Sequence, residues 1–349
     1  MWWRKRISEF GRLLKIVVVV LLCTLLLNSH RTNAWTAEDA TSLYLLGSKS
    51  SMAGVVPPPG TYFSSLNYYY SGDASGNAAA GVAIEQIGNI GLQADIEADA
   101  HAFVKLPTFL WITPHKILGG NVGIGVIGVL GWKDVSIDID ALATLTLANG
   151  TTVQRGRRFA LDDDVFDLGD PLLTALIGWH QGNWHWNISG LLNIPVGDYD
   201  ARALANIAFN RWALDTTAAA TWFDPAKGHE VSVAAGFTFN GENSETNYET
   251  GTEFHVEFAA MQHLSRAFAV GVTGYHYNQV TGDSGRGATL GSFEGRVTAI
   301  GPNINFSFQL GQTPVSTSLR WLHEFDAVNR LEGDSVVFSA TLPLGGPRR

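Results

Sequence analysis

The sequence predicts an all-β protein, a transmembrane antiparallel β-barrel of about 12 strands preceded by a cleavable signal peptide. Three observations carry this: long runs of strict alternation, an export signal at the start, and an acidic remainder without cysteine. Ala94, Ile96, Ala98, Ala100, Ala102, Val104 and Leu106 alternate with Gln93, Asp95, Glu97, Asp99, His101, Phe103 and Lys105. Val135, Ile137, Ile139, Ala141, Ala143, Leu145 and Leu147 do the same against Asp134, Ser136, Asp138, Asp140, Leu142, Thr144 and Thr146. Successive side chains of a strand point to opposite faces, so one face is hydrocarbon and the other is wet. Both runs exceed the roughly 5–6 residues of an ordinary globular strand. They meet the ~9–11 that a tilted membrane-crossing strand needs.

The first residues give the destination. Arg4, Lys5, Arg6, Arg12 and Lys15 precede the apolar run Ile16 to Leu27, and small residues follow near Thr32-Asn33-Ala34. That is the layout of a secretory signal over residues 1–34. As a membrane anchor the apolar run falls short of the ~20 residues of a spanning helix. Cys23, the single cysteine, follows Leu22 rather than a small residue, which argues against lipidation. Removing residues 1–34 takes six of the 23 Lys+Arg and one of the 32 Asp+Glu, leaving a net charge of −14. A thiol-free chain suits an oxidising periplasm, and acidity without a basic tract argues against nucleic acid as a partner. No linker divides the remainder, and barrels run long as one domain.

In order along the chain, residues 35–59 form a Pro/Gly-rich segment, 60–344 the barrel and 345–349 a short tail. Alternation marks thirteen segments, near 60–72, 92–106, 121–133, 134–147, 170–181, 184–195, 205–222, 229–240, 252–263, 267–280, 293–310, 315–326 and 334–343. Single-chain bacterial barrels favour even strand numbers, so one segment is either no strand at all or lies outside the wall. Gln181-Gly182-Asn183, Asp224 to Gly228, Leu264-Ser265-Arg266 and Gly311 to Pro314 punctuate the breaks. Segments 148–169, 240–251 and 281–292 read as longer external loops. Around Gly301-Pro302 the apolar parity passes from Val297 and Ala299 to Ile304, Phe306 and Phe308, as a β-bulge would produce. Trp111, Trp132, Trp179, Trp184, Trp186, Trp222 and Trp321 fall near strand ends, which suits interface girdles as well as an aromatic core.

Searches for catalytic or cofactor chemistry return little. Gly123-Ile124-Gly125-Val126-Ile127-Gly128 spells a dinucleotide fingerprint but lacks its strand-then-helix setting. His180, His185, His255, His263 and His276 show no metal-ligand spacing, and neither a Gly-x-Ser-x-Gly elbow nor a Walker loop occurs. Asp162-Asp163-Asp164 reads as a solvated loop rather than a cation site. No cofactor or metal is expected. Asp95, Glu97, Asp99, His101, Asp138, Asp140, Glu253, His255 and Glu257 are the candidate lumen-lining residues, because polar faces of a barrel look inward and confined carboxylates attract cations. Pro57, Pro58 and Pro59 lack the ladder donor, so Gly47 to Gly60 is expected to fold into the mouth or lumen as a constriction. Tyr62, Tyr68, Tyr70, Phe103, Tyr275 and Tyr277 are candidates for lining a route for aromatic solutes.

Several stretches resemble one family. They are Gly47 to Tyr62, Asp167-Leu168-Gly169-Asp170-Pro171, Ile194 to Asp200, Phe239 to Tyr248, Gly274 to Gln279 and Ala299-Ile300-Gly301-Pro302-Asn303. Six pieces in order over nearly the whole mature chain resemble the bacterial MetA-type barrel proteins of the phenol meta-pathway, often labelled transporters. The resemblance implies a bacterial outer-membrane channel for passive uptake of small apolar, aromatic, phenol-like solutes. Its expected partners are such a solute, outer-membrane lipid and the barrel-assembly machinery. It carries over no catalytic residues. Val196 stands where many relatives have Thr, and the chain ends on Gly345-Gly346-Pro347-Arg348-Arg349 rather than on an aromatic residue. Two other readings remain open here: an outer-membrane enzyme acting on lipids, and a structural barrel whose lumen is filled.

Overall fold

The computed structural model describes residues 42–84, 88–147, 152–288 and 294–345. The signal segment 1–34 and most of the tail 345–349 lie outside the described residues. Sixteen strands follow one another: β1 (Gly60–Ile84), β2 (Gly88–Ile117), β3 (Gly120–Ile127), β4 (Leu130–Leu147), β5 (Thr152–Leu168), β6 (Leu172–Gln181), β7 (Trp184–Asn193), β8 (Ala213–Asp224), β9 (His229–Asn240), β10 (Glu242–Asn243), β11 (Tyr248–Glu249), β12 (Glu253–His263), β13 (Phe268–Gln279), β14 (Arg296–Leu310), β15 (Thr313–Val328) and β16 (Glu332–Gly345).

Pairing runs β1-β16-β15-β14-β13-β12-β9-β8-β7-β6-β3-β2, and a β1–β2 pairing closes the ring. Closure leaves the wall without an unpaired edge, as a lipid setting requires. β4 pairs with β2 beyond β3, and β5 pairs with β4. β3 and β4 thus act as successive parts of one wall strand interrupted at Gly128-Val129, where Gly128 N donates to Pro107 O at 2.9 Å. β5 and β6 are likewise separated only by Gly169-Asp170-Pro171, with Gly169 N donating to Val129 O at 3.1 Å. The wall is a closed antiparallel barrel of twelve strands, and β10 and β11 form a separate small hairpin.

The described chain forms two compact units, one of residues 75–97 and 137–161, the other holding the rest of the barrel. In the first, Arg158 Nη2 pairs with Asp138 Oδ2 at 2.9 Å on an exposed surface. In the second, alternation sets the two faces of the wall. Val231, Val233, Phe237 and Phe239 of β9 point outward, whereas Glu230, Ser232, Ala234 and Thr238 are buried within. Trp111, Trp184 and Trp186 sit outward near the short connections, and Trp179 stacks on Trp186 with ring centroids 6.3 Å apart. Its indole N–H donates to Leu118 O at 3.0 Å, the apolar body and polar tip expected at a lipid–water boundary.

Connections at one end are short: 118–119, 182–183, 225–228, 264–267 and 311–312. The other end carries 194–212, 241–252, 280–295 and 329–331. In outer-membrane barrels short turns face the periplasm.

Four expectations need correction. Most of 148–169 is strand β5, not loop, because its alternating residues pair with β4. Conversely, 194–212 is a loop, so the wall strand expected at 205–222 begins at Ala213. No register shift occurs at Gly301-Pro302; β14 stays in register with β13 throughout, and the shift against β15 lies between Arg296 and Thr298. Parity is constant there, and it is the interior that changes, from apolar Val297 and Ala299 to Asn303 and Asn305.

The fourth correction concerns the faces of β2. Ala100, Ala102, Val104 and Leu106 face inward, while Asp99 and Lys105 are exposed on the opposite face together with His101 and Phe103. Asp95 and Glu97 are exposed as well, Asp138 is half-exposed in its ion pair with Arg158, and Asp140 is exposed. The reason is physical: this part of the lumen is lined with hydrocarbon, and the outer face of a strand longer than the lipid layer is wet.

Candidate functional site: the lumen, its inserted segment and a cavity

The chain before β1 lies inside the barrel. Residues 42–56 run from the loop end towards the turn end, and the wall answers each step with a polar side chain. Gly47 N donates to Glu257 Oε1 at 3.0 Å. Lys49 Nζ donates to Ser189 Oγ at 2.7 Å, and Ser50 Oγ to Thr273 Oγ1 at 3.0 Å. Met52 N and Ser51 Oγ both donate to the Glu230 carboxylate, at 2.6 and 2.8 Å. Gly54 N donates to Thr221 Oγ1 at 2.9 Å, and Asn187 Nδ2 to Ala53 O at 2.8 Å. An irregular segment enclosed in a barrel has no ladder for its amides, so inward carboxylates and hydroxyls satisfy them instead.

Two glycines permit this course. Gly47 has φ +80°, and a Cβ there would meet Leu322 Cδ1 at 2.6 Å. At Gly54 a Cβ would meet His185 O and Thr221 N, both at 2.5 Å, so the wall backbone itself excludes any side chain.

Glu253, His255 and Glu257 of β12 are each 1% exposed and face the interior. His255 Nε2 lies 2.8 Å from Asp215 Oδ2, and Tyr44 stacks on its ring at 3.6 Å between centroids. Tyr277 Oη donates to Glu253 Oε1 at 2.6 Å. Tyr44, Leu46, Tyr68, Tyr275, Tyr277, Val297 and Leu322 form one buried cluster. Pro57, Pro58 and Pro59 link the segment to β1, with Pro58 O accepting from Tyr62 Oη at 2.8 Å. Phe103, 39% exposed, is on the outer face. Among the described residues, no group of three His, Cys, Asp or Glu side chains could hold a metal ion.

Between residues 42–46 and the wall at the loop end lies a cavity of about 180 Å³. Leu43, Leu45, Val104, Leu172, Ile207 and Phe209 supply hydrocarbon; Tyr68, Tyr70, Lys133, Glu324 and Arg330 supply polar atoms. Sequence reading missed Leu43, Lys133, Glu324 and Arg330. Nothing in their local pattern separates them from ordinary strand or loop residues, since the cavity is made by chain folded back inside the barrel. A wider depression of 630 Å³ on the outer face, between Phe109, Trp111, Ile124 and Leu173, is almost wholly hydrocarbon and faces lipid.

The loop 194–212 walls off this end. Asp170, 1% exposed, accepts from Gly197 N (2.8 Å), Asn193 Nδ2 (2.9 Å), Phe209 N (2.9 Å) and Asn210 N (3.1 Å). Asp198 N donates to Leu168 O at 3.1 Å. The stretches Asp167 to Pro171 and Ile194 to Asp200, remote in sequence, therefore meet as one anchor that brings Ile207 and Phe209 to the cavity.

The family described as "Putative MetA-pathway of phenol degradation" matches residues 71–340. The chain belongs to this family. Among solved structures, the COG4313 outer membrane channel from Pseudomonas putida F1 is similar at a TM-score of 0.54 and 13% identity, covering 83% of this chain and 97% of that one. A Pseudomonas aeruginosa FadL homologue aligns at 9% identity over 81% of this chain and 90% of its own, with a TM-score of 0.35. No curated protein matches. The MetA-pathway chain thus has the fold of an outer-membrane barrel.

Proposed function

We propose that this MetA-pathway barrel is a passive outer-membrane channel for small, largely apolar, aromatic molecules. The observation that carries the reading is the loop-end cavity, with aliphatic walls and a few convergent polar groups inside a closed barrel. Such a site is the usual form of a small-molecule pocket. The segment ending in Pro57-Pro58-Pro59 acts as the constriction below it, and Glu253, His255 and Glu257 hold that segment rather than forming an open charged pore. Outer-membrane lipid surrounds the wall, and the barrel-assembly machinery inserts it.

The enzymatic alternative has one foothold. His276 Nδ1 and Thr298 Oγ1 lie 2.9 Å apart, half-buried on neighbouring strands. A nucleophile–base pair needs a third group to orient the base, and no hydrogen bond to His276 Nε2 is present among the described residues.

The test is single-channel current from refolded protein in a planar bilayer, with and without one-ring aromatics. Small discrete conductance, reduced by the aromatic, is expected. A well-inserted barrel that neither conducts nor passes aromatics into vesicles would move the reading to a structural role, and release of fatty acid from lipid would move it to an enzyme.

A further inference from the structure

The uptake reading makes no use of the two cations at the cavity. Lys133 of β4 is 6% exposed, and Arg330 comes from the connection between β15 and β16. Arg330 Nη1 donates to Ser42 Oγ at 3.1 Å, and its guanidinium lies 4.3 Å from the Tyr277 ring centroid. It makes no other hydrogen bond and no ion pair among the described residues. Of five N–H donors in a guanidinium, most stay unspent.

The nearby carboxylates, Glu324 and Glu253, act on Arg330 through space but spend their hydrogen bonds on other donors. Glu324 accepts from Tyr275 Oη at 2.6 Å, Tyr70 Oη at 2.8 Å and Gly333 N at 3.0 Å. Glu253 holds the Tyr277 hydroxyl. A carboxylate already holding three donors has little left for a solute hydroxyl. A guanidinium with free N–H groups in a largely apolar pocket is instead matched by an anionic oxygen, best of all by the two oxygens of a carboxylate. Size sets the remainder of the solute: a cavity of ~150 Å³ accommodates benzene, and this one measures about 180 Å³.

We propose that the cavity binds one-ring aromatic molecules bearing an anionic oxygen head, aromatic carboxylates above all, with the ring between Leu43, Leu172 and Phe209 and the head on Arg330. This rests on the uptake reading and sharpens its solute.

The experiment is titration calorimetry of the full-length refolded protein in micelles at neutral pH, with blank micelles subtracted. Benzoate is compared with benzamide, its neutral isostere. Benzoate is expected to bind about tenfold more tightly, the scale of one charge-assisted contact. Arg330→Gln is expected to bring the ratio near one, chiefly by weakening benzoate. Leu172→Trp, which fills the cavity, is expected to abolish both. Heat-modifiable gel mobility reports folding, and if Arg330→Gln fails it, Arg330→Lys replaces it, with a reduced benzoate preference expected. Equal binding of the two ligands, or a preference that survives the Arg330 change, overturns the anionic-head inference and leaves the uptake reading intact. Benzoate binding that survives Leu172→Trp overturns the location. Binding of neither ligand removes the cavity as a solute site and takes the uptake reading's main support with it.

Discussion

Asp198 and Asp200 lie two residues apart and behave oppositely. Arg202 donates to Asp200 through Nε and Nη2, both at 3.0 Å, which holds that carboxyl below its ordinary range. Asp198 shares a hydrogen bond with the Asp167 carboxyl, and the pairing raises its pKa. A group with a raised folded-state pKa stabilises the fold at low pH and loses that contribution as pH rises through the folded value. The contact between loop 194–212 and the end of β5 is therefore expected to weaken as pH rises from the ordinary carboxylate range towards neutrality. Asp198→Asn keeps a donor at every pH. Hydrogen exchange of the 197–199 amides should be pH-sensitive beyond the intrinsic rate in the wild type and flat in the variant, with a small effect because both groups are exposed.

Elements of this wall are legible where their two faces meet different solvents. β9 and β12 carry hydrocarbon outward and carboxylates inward, since their outer faces meet lipid and their inner faces meet the inserted segment's amides. β2 does not. Ala100, Ala102 and Val104 face a hydrocarbon-lined cavity while Asp99 faces outward, and alternation alone gives the period without the sign. The segment 205–212 misled for another reason: apolar Ala205, Ile207 and Ala208 are buried by a loop anchored on Asp170 rather than by a strand. The membrane-facing reading of β13 can be tested at Val272, mid-strand and 47% exposed. Val272→Arg is expected to cost about 2–4 kcal/mol of folding stability in lipid, measured by reversible denaturant titration in vesicles; a change below about 0.5 kcal/mol would place β13 outside the hydrocarbon layer.

For the molecule as a whole, the inserted segment decides whether the barrel is open. Glu257 and Glu230 each hold it through backbone amides, Gly47 N and Met52 N. Hydrogen bonds contribute about 0.5–3 kcal/mol each, depending on the charge of the acceptor, so the two offset the cost of ordering only a few residues. Glu230→Gln with Glu257→Gln is expected to weaken the hold without emptying either site, raising single-channel conductance several-fold and adding fluctuations between levels. Unchanged current in a folded double variant would mean that the segment is held by packing around Tyr44 and Leu46 alone.

Alternation and the order of the six family stretches by themselves determined a barrel of about twelve strands of the MetA-pathway family, because closure in lipid leaves few ways to satisfy a backbone and a strand wall demands period two. Only the tertiary structure decided which face of β2 looks inward, which amides Glu230 and Glu257 hold, and how Leu43, Lys133 and Arg330 come together. Those facts depend on a segment folded back inside its own wall, and contacts between residues 42 and 330 leave no trace in any local pattern of residues.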